Sequence, residues 1–189
     1  MIETERLILR PFREGDEEDV YEYLREPAVN CFACMKLHSV EKAKEEIKRR
    51  AGDSEYYFAI VLKENGKVIG EIFGGPEGTD PETSVYDTFS PCWMLNLRYT
   101  GKGYAYEATR AYFDYLFSEK GARRIYAYTE DYNLRSQQLC ERLGMRREGL
   151  FIEFVSFIDN PDGTPKYENT IQYAILKKEW EGHCRVYEE

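Results

Sequence analysis

No apolar run in this sequence approaches the roughly 20 residues of a membrane span. The opening Met-Ile-Glu-Thr-Glu-Arg also lacks the basic and apolar regions of a signal peptide. A cytoplasmic protein is the expectation. Surplus positive charge is missing too: 26 Lys and Arg stand against 35 Asp and Glu, a net charge of −9. That balance argues against a general nucleic-acid binder, because phosphate backbones recruit proteins through excess cations. The five cysteines, Cys31, Cys34, Cys92, Cys140 and Cys184, are odd in number and scattered, so free thiols are expected rather than a disulfide framework. Cys31, Cys34 and His38 have neither a second cysteine pair nor a nearby fourth ligand, and no metal site is expected. There is no internal repeat and no low-complexity tract. The 189 residues suit a single domain, assigned to residues 1–182 with a short tail at 183–189.

What is present is a run of alternating strand and helix signals. Arg6-Leu-Ile-Leu-Arg10 reads as a first strand closed by Pro11. Asp16 stands ahead of Val20, Tyr23 and Leu24 as the cap of a short helix that ends at Pro27. Residues 28–38 are loop-like, and Ser39 opens a second helix that stops at Gly52. Residues 56–62 and 68–73 are two strands joined around Asn65-Gly66, a strong hairpin signal. Residues 74–90 form a long loop, and 92–97 form the next strand. A helix with Ala105, Ala108, Tyr112, Tyr115 and Leu116 on one face ends near Gly121. Residues 124–129 should return parallel to the strand before that helix. Asn133 caps a further helix ending at Gly144, with Leu139 and Leu143 inside, and residues 150–158 and 170–176 are final strands.

The most informative stretch runs from Cys92 through Arg98, Gly101 and Gly103 into the helix. A helix start leaves backbone N–H groups unsatisfied and directs the positive end of its dipole outward, so a phosphate suits both. Two glycines let the backbone take positive φ and approach a ligand closely. The spacing is not that of a dinucleotide fingerprint, which would need Gly or Ala in place of Tyr106. Nor is it a Walker loop, which would need Gly at Asn96 and Ser or Thr at Gly103. The plain alternative is a tight strand-to-helix turn.

Arg98-Tyr-Thr-Gly101-Lys-Gly103-Tyr-Ala, with Glu107-Ala108 behind it, resembles the pyrophosphate-loop signature of the GNAT acetyltransferase superfamily. Asn133-Leu-Arg-Ser136, Leu143-Gly144-Met145 and Glu148-Gly149 resemble the RimJ/RimL-like branch. So do Thr4-Glu-Arg-Leu-Ile-Leu-Arg10 and Glu179-Trp180. The resemblance implies an α/β fold: a central, mostly antiparallel sheet of about seven strands, one parallel pair splayed at the cofactor site, and helices on both faces. It also implies acetyl-CoA as cosubstrate. The pyrophosphate would lie on the backbone of Arg98, Tyr99, Thr100, Gly101, Lys102, Gly103, Tyr104 and Ala105. The pantetheine arm would run along Leu95, Asn96 and Leu97, with an N–H near Leu95 polarising the thioester carbonyl. Ser136, with Asn133 beside it, would partner the CoA sulfur, and Cys140 stands where many members carry a tyrosine.

Acetyl transfer needs a neutral amine. An α-amino group with a pKa of about 7.7–8.0 is partly neutral at cellular pH, whereas a lysine near about 10.4 is almost wholly charged. Glu153 is the first candidate base, expected to share a strand face with Phe151, Val155 and Phe157, which would raise its pKa. The other reading of Glu153 is a rim carboxylate that solvates the sheet. Glu71, between Ile69 and Phe73, is the second candidate. Asn133 and Ser136 have the alternative reading of a helix cap and its third residue. Phe32 and Met35 border the expected acceptor site, and Tyr86, Tyr128 and Tyr132 are further candidates to line it. The implied reaction is transfer to a protein N-terminal α-amine. The alternatives are a small amine, antibiotic or polyamine, and a non-catalytic acyl-CoA sensor. A homodimer is the expected assembly.

Overall fold

The computed structural model describes residues 1–77 and 85–186, with side chains to residue 182. The order is β1 (Ile2–Glu3), β2 (Leu7–Arg10), α1 (Glu17–Leu24), α2 (Val40–Ala51), β3 (Tyr57–Leu62), β4 (Val68–Phe73), β5 (Pro76–Glu77), β6 (Thr88–Phe89) and β7 (Cys92–Leu95). Then come α3 (Tyr104–Ser118), β8 (Arg124–Glu130), α4 (Leu134–Arg142), β9 (Arg146–Asp159), β10 (Pro165–Leu176) and α5 (Lys177–Val186). The fold is α/β and mostly antiparallel with one parallel pair. Its strands form two sheets of five, β1-β2-β3-β4-β7 and β5-β6-β8-β10-β9, in place of one sheet of about seven. Seven strands have four or more residues; β1, β5 and β6 are two-residue additions.

Two compact units emerge. The first holds residues 1–73, 92–112 and 157–165, the second 74–91, 113–156 and 166–189. In the first, every residue of β3 is buried, as expected of a strand covered on both faces. Tyr57, Ala59 and Val61 pack with Val20, Leu24 and Ile47 of α1 and α2. On the other face Phe58 meets Tyr112 of α3 at 5.9 Å, edge to face. Each such fully buried side chain contributes about 1.5–3 kcal/mol. The hairpin forms as expected: Gly66 sits at φ +73 and donates its N–H to the Leu62 carbonyl at 2.9 Å.

In the second unit, β8 buries Ile125, Ala127 and Thr129 on one face and leaves Tyr128 half exposed on the other. Trp180 of α5 is buried against Phe113 and Phe117, at 5.6 and 5.9 Å, and donates its indole N–H to Asp114 at 2.6 Å. Helix α4 ends at Gly144, φ +76, with Met145 and Gly144 donating to the Cys140 and Glu141 carbonyls at 3.0 Å each.

Several expectations are corrected. The parallel partner of β8 is β6, and β7 pairs with β4 instead. Pro91, which has no N–H to give a ladder, separates β6 from β7. Gly74 packs so closely here that a Cβ would lie 2.6 Å from the Pro91 Cα. Asp16 makes no side-chain cap bond, because Arg10 holds both its oxygens at 2.7 Å in a buried ion pair. The last two strands are longer than 150–158 and 170–176, closing on a turn in which Asn160 donates to the Thr164 carbonyl at 2.7 Å. The expected loop at 74–90 contains β5 and β6, and its residues 78–84 lie outside the described ones. Residues 183–186, expected to be tail, continue α5.

Candidate active site

The glycine turn between β7 and α3 has the backbone its sequence demands. Gly101 and Gly103 sit at φ +76 and +84, where a side chain would cost about 1–2 kcal/mol. Two residues near the start of the sequence brace this turn. The Thr4 hydroxyl and the Arg6 N–H donate to Glu107 Oε1 at 2.6 and 2.8 Å, and Arg6 Nε donates to Oε2 at 2.7 Å. Arg6 also donates to the Lys102 carbonyl at 3.0 Å and lies 4.5 Å over the Tyr104 ring. Although burial opposes it, these donors hold the Glu107 carboxyl below its ordinary pKa. The Thr4 and Arg6 of the opening motif thus act on the turn a hundred residues later. Lys102 lies 5.5 Å from the Tyr99 ring, and Arg98 is tied to Glu22 at 2.8 Å.

β7 is the edge strand of its sheet. The Asn96 N–H donates to the Ile69 carbonyl of the neighbouring segment at 2.8 Å. Because adjacent residues of a strand point their N–H groups in opposite directions, the Leu95 N–H faces the open side. Asn96 Oδ1 accepts from the Arg98 N–H at 3.0 Å and so caps the 3-10 turn Leu97–Tyr99. Below this end of β7 lies a cavity of ≈ 140 Å³ lined in part by Glu22, Tyr23, Glu26, Met94, Leu95 and Asn96. Glu22 is bonded by Lys67 and then influenced by Asn96 and Arg98, all of which hold its carboxyl below the usual range.

Glu71 lies on β4, directly across the ladder from Met94. It is 0% exposed and forms an ion pair with Arg50, itself 1% exposed. Tyr23 donates to its Oε2 at 2.8 Å and Tyr57 to its Oε1 at 3.1 Å. Burial pushes the carboxyl upward against the pull of Arg50, while burial and the Glu71 charge hold both tyrosines protonated. Its two oxygens are therefore fully engaged.

The second unit carries Asn133, Ser136 and Glu153. Asn133 caps α4, its side chain accepting from the Ser136 N–H at 3.3 Å. Cys140 is wholly buried and its thiol is pushed up to about 12 by burial. Glu153 is the one non-glycine residue with positive φ among the described residues, at +48, and its N–H donates to Asn169 Oδ1 at 2.9 Å. That left-handed residue interrupts the period of two. Phe151 and Phe154, three apart, face the same way, with ring centroids 5.0 Å apart and 6.1 and 5.7 Å from Tyr128. The alternation that grouped Glu153 with Phe151, Val155 and Phe157 does not hold, and the neighbourhood is open: Phe154 is 50% exposed. Tyr132 donates to Glu168 at 3.1 Å, and Tyr86 is exposed. Cys31 and Cys34 are thiols outside any disulfide; Cys34 is exposed and Cys31 half-buried in the 3-10 turn Asn30–Met35 with Phe32 and Met35. Among the described residues no group of three or more His, Cys, Asp or Glu is arranged to hold a metal, and no helix is long and apolar enough to cross a membrane.

The comparisons with known proteins agree with this geometry. Residues 6–146 match the acetyltransferase (GNAT) domain model. The chain belongs to the GNAT acetyltransferase family. It is 32% identical over 95% of its length to the uncharacterized N-acetyltransferase YnaD of Bacillus subtilis strain 168, covering 98% of that protein. A GNAT-family acetyltransferase structure from Bacillus anthracis superposes with a TM-score of 0.77 at 30% identity, over 94% of this chain and 99% of that one. A chimeric spermidine N-acetyltransferase SpeG from Vibrio cholerae shares the fold, with a TM-score of 0.70 at 19% identity, over 93% of this chain and 97% of that one.

The protein is accordingly an acetyl-CoA-dependent N-acetyltransferase. Within the first unit the acetyltransferase gathers Glu71 and all the expected positions from Leu95 to Ala105. Sequence reasoning missed the side chains around them: Arg50, which neutralises Glu71; Glu22 and Tyr23, which line the cavity; and the side chain of Asn96, expected to act only through its backbone. A buried arginine in an amphipathic helix is a usable signal. Arg50 falls on the face of α2 that holds Ala43 and Ile47.

Proposed function

We propose that this acetyltransferase moves the acetyl group of acetyl-CoA to a primary amine, and that the amine is a protein N-terminal α-amine, as in the RimJ/RimL-like branch. The observation that carries the cofactor half is the turn at Gly101 and Gly103, in left-handed backbone at the start of α3 and braced by Thr4 and Arg6 through Glu107. The backbone from Arg98 to Ala105 would hold the pyrophosphate. The open edge of β7 at Leu95, Asn96 and Leu97 would receive the pantetheine arm as an added strand, with the Leu95 N–H turned toward the thioester oxygen.

In the reaction the amine nitrogen bonds to the thioester carbonyl carbon and the carbon–sulfur bond breaks. One proton leaves the amine and one joins the CoA thiolate. We assign proton removal to Glu153, whose carboxylate is exposed and, among the described residues, has no competing guanidinium of the kind that occupies Glu71. Ser136, next to its cap Asn133, keeps the role that the resemblance implies at the sulfur. A small-molecule amine is the second reading, favoured only by the acidic balance of −9. A sensor without turnover is the third.

The exposed thiols of Cys34 and Cys92 suit a reducing cytoplasm. For a homodimer the support is β9, an edge strand bearing Phe151, Ile152 and Phe154 at 37, 66 and 50% exposure; sedimentation at several concentrations tests it. The deciding experiment for function is a screen of N-terminal peptides, lysine peptides, polyamines and aminoglycosides, followed by CoA release. Turnover confined to polyamines or drugs would overturn the N-terminal reading. Acetyl-CoA binding without turnover on any amine would leave the sensor.

A further inference from the structure

Cys31-Phe-Ala-Cys34 takes no part in the chemistry proposed above, and it holds the only two cysteines that stand close together in the sequence. Their spacing acquires a meaning from the backbone. Asn30–Met35 is a 3-10 turn, and with three residues per turn the side chains of residues i and i+3 lie one above the other. At about 2 Å of rise per residue the Cα atoms of Cys31 and Cys34 stand about 6 Å apart, inside the range of about 4.4–6.8 Å that a disulfide spans. In an α-helix the same two side chains would be offset by about 60° around the axis.

The turn also presents the pair outward. Phe32 and Met35, the neighbouring residues at the same spacing, pack on the hydrophobic core of the first unit. Cys34, by contrast, is exposed and Cys31 half-buried. The Phe32 N–H donates to the Val29 carbonyl at 3.2 Å, and the Leu37 N–H donates to the Leu24 carbonyl at 3.0 Å. The backbone on either side of the two thiols is therefore tied down, the second bond fastening it to the end of α1, with the two cysteines already at a disulfide's span.

We infer that Cys31 and Cys34 are a redox-active dithiol: a modification site that takes a low-molecular-weight disulfide as its oxidant and closes to an intramolecular disulfide. The accessible Cys34 gives up its proton, and its thiolate attacks one sulfur of the oxidant. The oxidant's S–S bond breaks, a mixed disulfide forms on Cys34, and one small thiolate leaves. Cys31, deprotonated in turn, attacks Cys34 Sγ; the Cys31–Cys34 bond forms and the second small thiolate leaves. The protein gives up two electrons and two protons, and the oxidant takes both as two thiols. In a reducing cytoplasm such a pair rests as the dithiol and closes transiently when oxidant rises. The inference does not rest on acetyl transfer, and its test uses neither acetyl-CoA nor an amine.

The test incubates the folded full chain with glutathione disulfide, blocks the remaining thiols with iodoacetamide, then denatures and maps tryptic peptides. Cleavage after Arg25 and Lys36 isolates Cys31 and Cys34 on one peptide with no other cysteine. That peptide should lose both labels and be two hydrogens lighter than its reduced form, with no glutathione attached, and dithiothreitol should restore both labels. Cys31→Ser should halt the sequence after its first step, leaving glutathione on Cys34. Glutathione retained on Cys34 in the unaltered protein, both labels still present after prolonged exposure, or a disulfide from either residue to Cys92 or Cys184 would overturn the inference. If Cys31→Ser does not fold, the map of the unaltered protein decides by the same outcomes.

Discussion

Arg50 and Glu71 form an ion pair from which water is excluded, with exposures of 1% and 0%. Two tyrosine hydroxyls complete the carboxylate's shell. A buried pair is weak evidence of net stability, but breaking one leaves an uncompensated charge. Arg50→Met should therefore cost about 3–5 kcal/mol in denaturant unfolding, and adding Glu71→Gln to it should recover part of the loss. A Glu71→Gln protein that kept full stability and lost turnover would mean that Glu71 is the base after all.

The glycine turn gives a binding prediction. Gly101→Val and Gly103→Val each force a branched side chain into left-handed backbone, and at Gly103 the new Cβ would also lie 3.3 Å from the Arg6 guanidinium. Acetyl-CoA affinity should fall by about 5- to 30-fold, the equivalent of the roughly 1–2 kcal/mol of backbone strain, as read by isothermal titration. Binding unchanged in both variants would remove the turn from the cofactor site.

Glu107 gives a pH prediction with a definite sign. Its folded carboxyl sits below the ordinary value of 4.5, so its stabilisation is fully present above that value and is lost as pH falls through the lower folded one. Arg6 is 42% exposed, which screens part of the interaction. Glu107→Gln should cost about 1–2 kcal/mol at pH 7 and much less at the acid end. A Tm difference from the unaltered protein that stays constant between pH 7 and pH 3 would contradict this.

For the chemistry, Glu153→Gln should lower kcat/KM by about 10²-fold or more, as expected of a lost general base. Ser136→Ala should lower kcat with KM for the amine little changed. Unaltered turnover across pH in both variants would rule out both roles.

The thiols should separate into two classes. Cys34 and Cys92 are exposed, whereas Cys140 is buried with its thiol pushed up to about 12. A thiol-specific reagent should label the first two in the native protein, and Cys140 only after unfolding. Peptide mapping that found native labelling at Cys140 would contradict the burial.

What could be read from the sequence was what local chemistry decides. The Asn65-Gly66 turn, the Ser39 cap that accepts from the Lys42 N–H, the Gly144 helix end and the paired glycines at 101 and 103 each rest on conformations that few residues adopt. Interactions between distant positions were hidden. Asp16 looked like a cap until Arg10 was found holding it, and nothing in the spacing of Arg50 and Glu71 says that they meet. The left-handed backbone at Glu153 was invisible for a different reason: it changes which side chains share a face without changing which residues are apolar. The parallel pairing of β8 with a two-residue strand before Pro91 was likewise too short to leave a periodic signal.

The bracing of the glycine turn by Thr4 and Arg6 has a practical meaning for anyone handling this enzyme. Residues at the start of a chain are usually treated as expendable, the place for a purification tag or a trimmed end. Here cutting back past Arg6 would release Glu107 and Lys102 together, and the loss would show both as weaker retention of a nucleotide-bearing cofactor and as a lower Tm.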